Sequence, residues 1–271
     1  MAVPRTVPAA HGLQWLRQGT ELFSAAPATW VGVTVLFLLM AVVLSVIPFA
    51  GMLWTVAVPI HAGGLMIGCD ALRHGQPLEV RHLFNGFEQP RVQPLAIVGA
   101  LYLAGSVLLI VPAMLLLVGS TFLSALTMSL APSAVGAALS LALIAAVVIV
   151  MFAVATTLAM AVWFAPALVV FEGIEAVDAI KLSLRASWEN VHAFAVYGLA
   201  ALAVGGVILA PLLAAAALVA AGGERQSGAL AVMLIGGAGL FTALCMLLVM
   251  PVAWGAMYAS YRDVFAGQAT G

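Results

Sequence analysis

Charge is what this sequence lacks. Of its 271 residues 65% are apolar and only 7% are charged, nine basic and ten acidic. A soluble domain carries about 25% charged residues, so this chain cannot cover a water-facing surface. Disorder is excluded too, because its signature of low hydrophobicity and high net charge is missing. The formal net charge of −1 leaves no basic face for nucleic acid, which needs clustered Lys and Arg. Cysteine is scarce: Cys69 and Cys245 stand far apart in apolar surroundings, giving neither a disulfide framework nor a zinc pattern.

Catalytic strings are missing as well. Gly119-Ser120-Thr121 does not have the Gly-x-Ser-x-Gly frame of a nucleophile elbow. The sequence has no His-Glu-x-x-His, no phosphate-binding glycine loop ending in Lys-Ser/Thr and no dinucleotide Gly-x-Gly-x-x-Gly. We therefore expect a non-enzyme without catalytic residues, cofactor or metal. His74 and His82 flank Glu79 at a spacing that could hold a metal, but spacing alone is not ligation, and they read as solvated interfacial histidines.

What is present is long apolar sequence. A membrane span needs about 20 apolar residues, and the uncharged stretches are Leu22–Cys69, Val92–Phe171, Asn190–Gly223 and Gln226–Tyr261. Ile47-Pro48-Phe49-Ala50-Gly51 divides the first into a hairpin. The second could hold two long helices or three short ones, and charge decides. With two, six spans result, and eight of the nine basic residues gather on one face, leaving only Arg225 opposite. Positive loops stay in the cytoplasm. The expected architecture is therefore all-α: one integral membrane domain over residues 1–271, a bundle of six transmembrane helices with both termini cytoplasmic. Its spans lie near 28–48, 51–71, 94–128, 134–171, 191–221 and 228–261, with a break at Ser129-Leu130-Ala131-Pro132-Ser133. Apolar sequence begins only near Trp30, after Arg5, Arg17 and Glu21, so the first span is expected to act as an uncleaved insertion signal.

Short amphipathic segments precede the odd-numbered spans, near 10–23, 78–88 and 174–189. In the first, Trp15, Leu16, Gly19, Leu22 and Phe23 oppose Gln14, Arg17, Gln18 and Glu21. In the second, Val80, Leu83, Phe84 and Phe87 keep helical spacing. The third runs Ile174, Val177, Leu184, Trp188 and Val191, with its charges turned away. Such segments lie in the interface with the apolar face against lipid or bundle. Odd spans appear as apolar runs ending in Pro48, Pro112 and Pro211, and even spans carry Pro59, Pro166 and Pro251 inside. The pattern reads as three copies of one hairpin unit; the alternative is that Pro and Gly are simply frequent in membrane helices.

The opening Val7-Pro8-Ala9-Ala10-His11-Gly12, continuing to Trp15, Gly19, Leu22-Phe23 and Pro27, resembles the uncharacterised BPSS-type family of proteobacterial inner-membrane proteins. The run Pro59 to Gly64, Arg73-His74-Gly75-Gln76-Pro77-Leu78 and Leu83-Phe84-Asn85-Gly86-Phe87 do so too. Glu175-Ala176-Val177-Asp178-Ala179-Ile180, with Ser183, Arg185, Ser187-Trp188 and Asn190, is more distantly similar to the membrane domain attached to some glycerophosphodiester phosphodiesterases. The resemblance implies a six-helix membrane fold in the bacterial inner membrane and carries over no activity, since these groups have no catalytic residues assigned in the membrane part.

Ionisable groups inside a membrane are costly unless paired or lining a cavity. His61 is the clear case, about ten residues and roughly 15 Å of helix from either end of its span. Pro59 leaves the Thr55 carbonyl without its helical partner, and Gly63-Gly64 either admits a neighbouring backbone or leaves room for water or a ligand. His61, Pro59, Gly63 and Gly64 are thus the candidate ligand-binding residues. The plainer reading is a neutral His61 bonded to a hydroxyl such as Ser45 or Thr157. Trp15, Trp188, Arg185 and Arg262 are candidate interfacial anchors, and Asp70, Arg73, Glu172 and Asp263 are expected to reach headgroup level from the ends of their spans.

Two functions follow. The favoured one is a non-enzymatic module that binds membrane lipid, or a membrane or cytoplasmic protein partner, through its cytoplasmic rim. The alternative is a small transporter or lipid-handling protein with a site near His61.

Overall fold

The computed structural model describes residues 3–130, 134–222 and 228–266. The described chain is all-helical, in the order α1 (His11–Ala25), α2 (Pro27–Ser45), α3 (Ala50–Arg73), two 3-10 turns (Val80–Leu83 and Asn85–Phe87), α4 (Val92–Leu130), α5 (Ala134–Trp163), α6 (Ala165–Glu172), α7 (Ala176–Glu189), α8 (Val191–Gly222) and α9 (Gly228–Phe265). Six segments are long and apolar enough to cross a membrane: α2, α3, Val92–Leu126 of α4, the stretch Ala138–Glu172, α8 and α9. The expected break after Ser129 falls on residues 131–133, outside the described residues, as does most of the loop holding Arg225.

Three expectations need correction. Pro112 and Pro211 do not end helices; they lie inside α4 and α8, while Pro48 alone of the three sits in a turn, between α2 and α3. In a long apolar helix surrounded by lipid, the carbonyl freed by proline has no water to favour unwinding, so the helix continues. Residues 78–88 form no amphipathic α-helix but the two 3-10 turns, separated at Phe84. The fourth span is interrupted at Phe164.

That interruption has a local cause. Helical geometry would pair the Phe164 N–H with the Met160 carbonyl. Instead the Ser183 hydroxyl of α7 enters the ladder, accepting from Phe164 N at 2.9 Å and donating to Met160 O at 2.8 Å. Ser187 donates to the same carbonyl at 3.3 Å, and Pro166 stands in the first turn of α6, where its missing N–H costs nothing. A side chain inserted into the ladder is a recognised source of helix kinks. Here it also docks α7.

Packing is concentrated at one end. There α1, the 3-10 turns and α7 gather against the ends of α3, α6, α8 and α9, and Trp15, Trp30, Leu65, Leu83, Phe164 and Leu168 are wholly buried. α1 lies unusually close to α9, because a Cβ on Gly255 would fall 2.8 Å from Gly19 Cα; small residues on both helices allow this approach. At the other end, Leu108, Val207 and Met233 are each 73% exposed. Such bare apolar helices are compatible with lipid as solvent, not water.

Candidate functional site at the charged end

Every described Asp, Glu, Lys and Arg lies at the packed end or on the segments leading into it. Asp263, near the end of α9, organises it. Its Oδ1 accepts from Arg5 Nη2 at 2.7 Å, and its Oδ2 accepts from His11 Nδ1 at 2.7 Å and from the Trp15 indole at 2.9 Å. Because a carboxylate only accepts, His11 carries its proton on Nδ1 here. The segment before α1 is held at both edges: Arg5 N donates to Val264 O at 3.0 Å, and Val7 N donates to Asn190 Oδ1 at 2.8 Å. Asn190 Nδ2 in turn donates to Arg5 O at 3.0 Å and Ala186 O at 2.8 Å. Asp70 accepts from the Tyr258 hydroxyl at 2.5 Å, and Glu172 from the Tyr261 hydroxyl at 2.8 Å.

These contacts change the anchor assignments. Trp15 is fully buried and gives its N–H to Asp263, so it is a core residue and not an interfacial anchor. Asp263, Asp70 and Glu172 do not extend to headgroup level but are bonded within the protein. Trp188 is 69% exposed on α7, and Arg185 pairs with Glu189 at 2.7 Å. Val177 is outward as well; the face of α7 that packs inward is made of Ala176, Ala179, Ser183, Ala186 and Ser187. Small residues let α7 approach closely, leaving its larger apolar groups facing out.

His61 is buried, but neither anticipated hydroxyl reaches it. Ser45 Oγ donates to Val42 O and Thr157 Oγ1 to Ala153 O, each within its own helix. His61 Nδ1–H donates at 2.9 Å to Leu83 O, on the first 3-10 turn. Its ring is enclosed by Phe37, Trp54, Phe84 and Phe87, with centroids 5.1–5.8 Å away. The room beside Gly63 and Gly64 is filled by protein: a Cβ on Gly63 would meet Leu95 at 2.9 Å, and one on Gly64 would collide with the His82 carbonyl. Pro59 is buried in the same helix. The four candidate residues therefore form a joint between α3 and the 3-10 turns. His74 Nδ1 lies 2.8 Å from Asp70 O, and His82 Nδ1 accepts the Glu79 N–H at 2.9 Å.

A polar cavity of about 510 Å³ opens between α1, the end of α3 and the end of α9. Arg5, Arg73, Arg262, Gln14 and Gln18 line it, together with the acids Glu21 and Asp263. Arg262 thus lines a cavity shared with α1 and α3, which its place in the sequence did not disclose. Asn190, Ser183, Tyr258 and Tyr261 were likewise missed as partners. For Ser183 and Asn190 the signal was their place in the motif after Glu175; for the tyrosines there was none.

No family model matches the chain, and no solved structure matches it. It is 32% identical over 204 residues, covering 71% of this chain and 73% of the relative, to the probable inner membrane protein BTH_II0599 of Burkholderia thailandensis. With six apolar helices around a packed charged end and this likeness along most of its length, the chain belongs to the same family of multi-pass inner membrane proteins.

Proposed function

We propose that the protein is a non-enzymatic inner-membrane module that binds a lipid or protein partner through the rim at its charged end, with that end in the cytoplasm. One observation carries the reading. The charged groups are collected on the rim beside outward apolar side chains, Trp188 at 69% exposure, Val177 at 48% and Phe87 at 42%, while the far end carries no Asp, Glu, Lys or Arg among the described residues. Exposed aromatic and charged groups together suit the headgroup region or a partner's surface. The basic residues on this end favour the cytoplasmic side. The closed packing around His61 favours the rim over a site in the bundle.

Complementation of a deletion strain tests this. A rim variant, Val177→Ser with Trp188→Ser, should accumulate and melt like wild type yet fail to complement, whereas His61→Leu should complement. The reverse pattern would replace the rim by a site at His61. Reporter fusions after Arg91, Lys181 and Arg262 should report cytoplasm; an external signal from them would overturn the orientation.

A further inference from the structure

Eight of the nine basic residues fall within the described part of the chain, all but Arg225. Six of them have a carboxylate within ion-pair distance: Arg5 with Asp263, Arg17 with Glu21, Arg81 with Glu79, Arg91 with Glu88, Lys181 with Asp178 and Arg185 with Glu189. Among the described residues, the two without such a partner are Arg73 and Arg262, and both line the same cavity. Its two acids cannot serve them in full. Glu21 is taken by Arg17 at 3.1 Å, and Asp263 by Arg5, His11 and Trp15. Asp70, the acid nearest Arg73 in sequence, accepts from Tyr258.

We propose that Arg73 and Arg262 form a binding site for a phosphate group, with Gln14 and Gln18 supplying neutral donors. Guanidinium groups suit phosphate oxygens because their planar fork can donate two parallel hydrogen bonds. A cavity of about 510 Å³ is in the range of small-molecule sites, large enough for a phosphate with its glycerol. The cavity joins the ends of two spanning helices, α3 and α9, and Leu22, Ala25 and Ala259 form part of its wall. A basic pocket between spanning helices at headgroup depth suits an anionic phospholipid, and a free phosphate presents the same chemistry. This inference deepens the rim reading by naming the ligand class.

The test uses the full chain purified in detergent and titrated separately with short-chain phosphatidylglycerol, short-chain phosphatidylcholine and inorganic phosphate. Each near-surface arginine is worth about fivefold in binding an anionic lipid, so Arg73→Gln with Arg262→Gln should weaken phosphatidylglycerol binding about 30-fold. Arg81→Gln, on the 3-10 turn, should leave it unchanged. Elution and melting curves check folding, and the single variants, at about fivefold each, give the answer if the double variant does not fold. Phosphatidylglycerol binding that depends on both arginines, with inorganic phosphate inert, identifies a lipid headgroup; the same dependence for inorganic phosphate identifies a free anion. Wild-type affinity in the folded Arg73 and Arg262 variants, or equal loss with Arg81→Gln, overturns the site. Complementation by the Val177→Ser, Trp188→Ser variant would defeat the rim reading and leave this site untouched, so the two failures are distinguishable.

Discussion

The two ends of this molecule are built for different solvents. At the charged end, aromatic and aliphatic side chains such as Trp15, Trp30 and Leu83 are wholly buried, and polar groups are matched to one another across long sequence distances, as Arg5 is to Asp263. At the other end, Leu108, Phe152 and Val207 are 63–73% exposed, and hydroxyls such as Thr157 bond back to their own helix. In lipid an exposed leucine loses nothing, so helices there need little contact with each other. Next to water the hydrophobic effect returns, and a core forms. The α5–α6 break, the 3-10 turns and the short amphipathic helices all fall on the water-adjacent side, where irregular backbone can find partners.

This contrast predicts a gradient of mutational effects. The largest belongs to Asp263→Ala, which strands the buried Trp15 N–H and removes the acceptor for Arg5 and His11. Hydrogen bonds to a charged group are worth about 1.5–3 kcal/mol, so a loss of about 3 kcal/mol is expected in reversible unfolding in detergent. Gly255→Leu should come next, costing about 1–3 kcal/mol by forcing α9 away from Gly19; an unchanged midpoint would show that the approach of α1 to α9 is not what holds the end together. His61→Leu should cost about 1–2 kcal/mol, the worth of a polar bond in a membrane protein, seen as a lower melting temperature. Smallest should be Leu108→Met and Val207→Leu on the exposed half, within about 0.5 kcal/mol. A large effect there would mean a covering partner and would erase the contrast.

The spans were legible because a helix that must satisfy its own backbone in lipid leaves a long apolar run, and charge asymmetry settled their number. Residues that act through local sequence were legible as well: Trp188 reads as an outward aromatic and Pro48 as a turn. Trp15 was misread because an aromatic near a span end looks the same whether it meets lipid or an acid 248 positions away. His61 was correctly read as buried, yet its partner is a backbone carbonyl, which every residue has and no sequence pattern marks. The pairing of Arg73 with Arg262 across one cavity was illegible for a related reason: it depends on how α1 lies between α3 and α9, and that is set by glycine contacts whose partners the sequence does not name.

Spin-label accessibility in nanodiscs tests the two-solvent account most directly. Labels would be placed at Leu108, Phe152, Val207 and Met233 on one half, and at Gln18, Glu88, Lys181 and Arg185 on the other. The first group should be relaxed strongly by dissolved oxygen and weakly by a water-soluble nickel complex, and the second group the reverse. Nickel relaxing Leu108 and Val207 as strongly as Gln18 would contradict the account, because the bare apolar half would then face water.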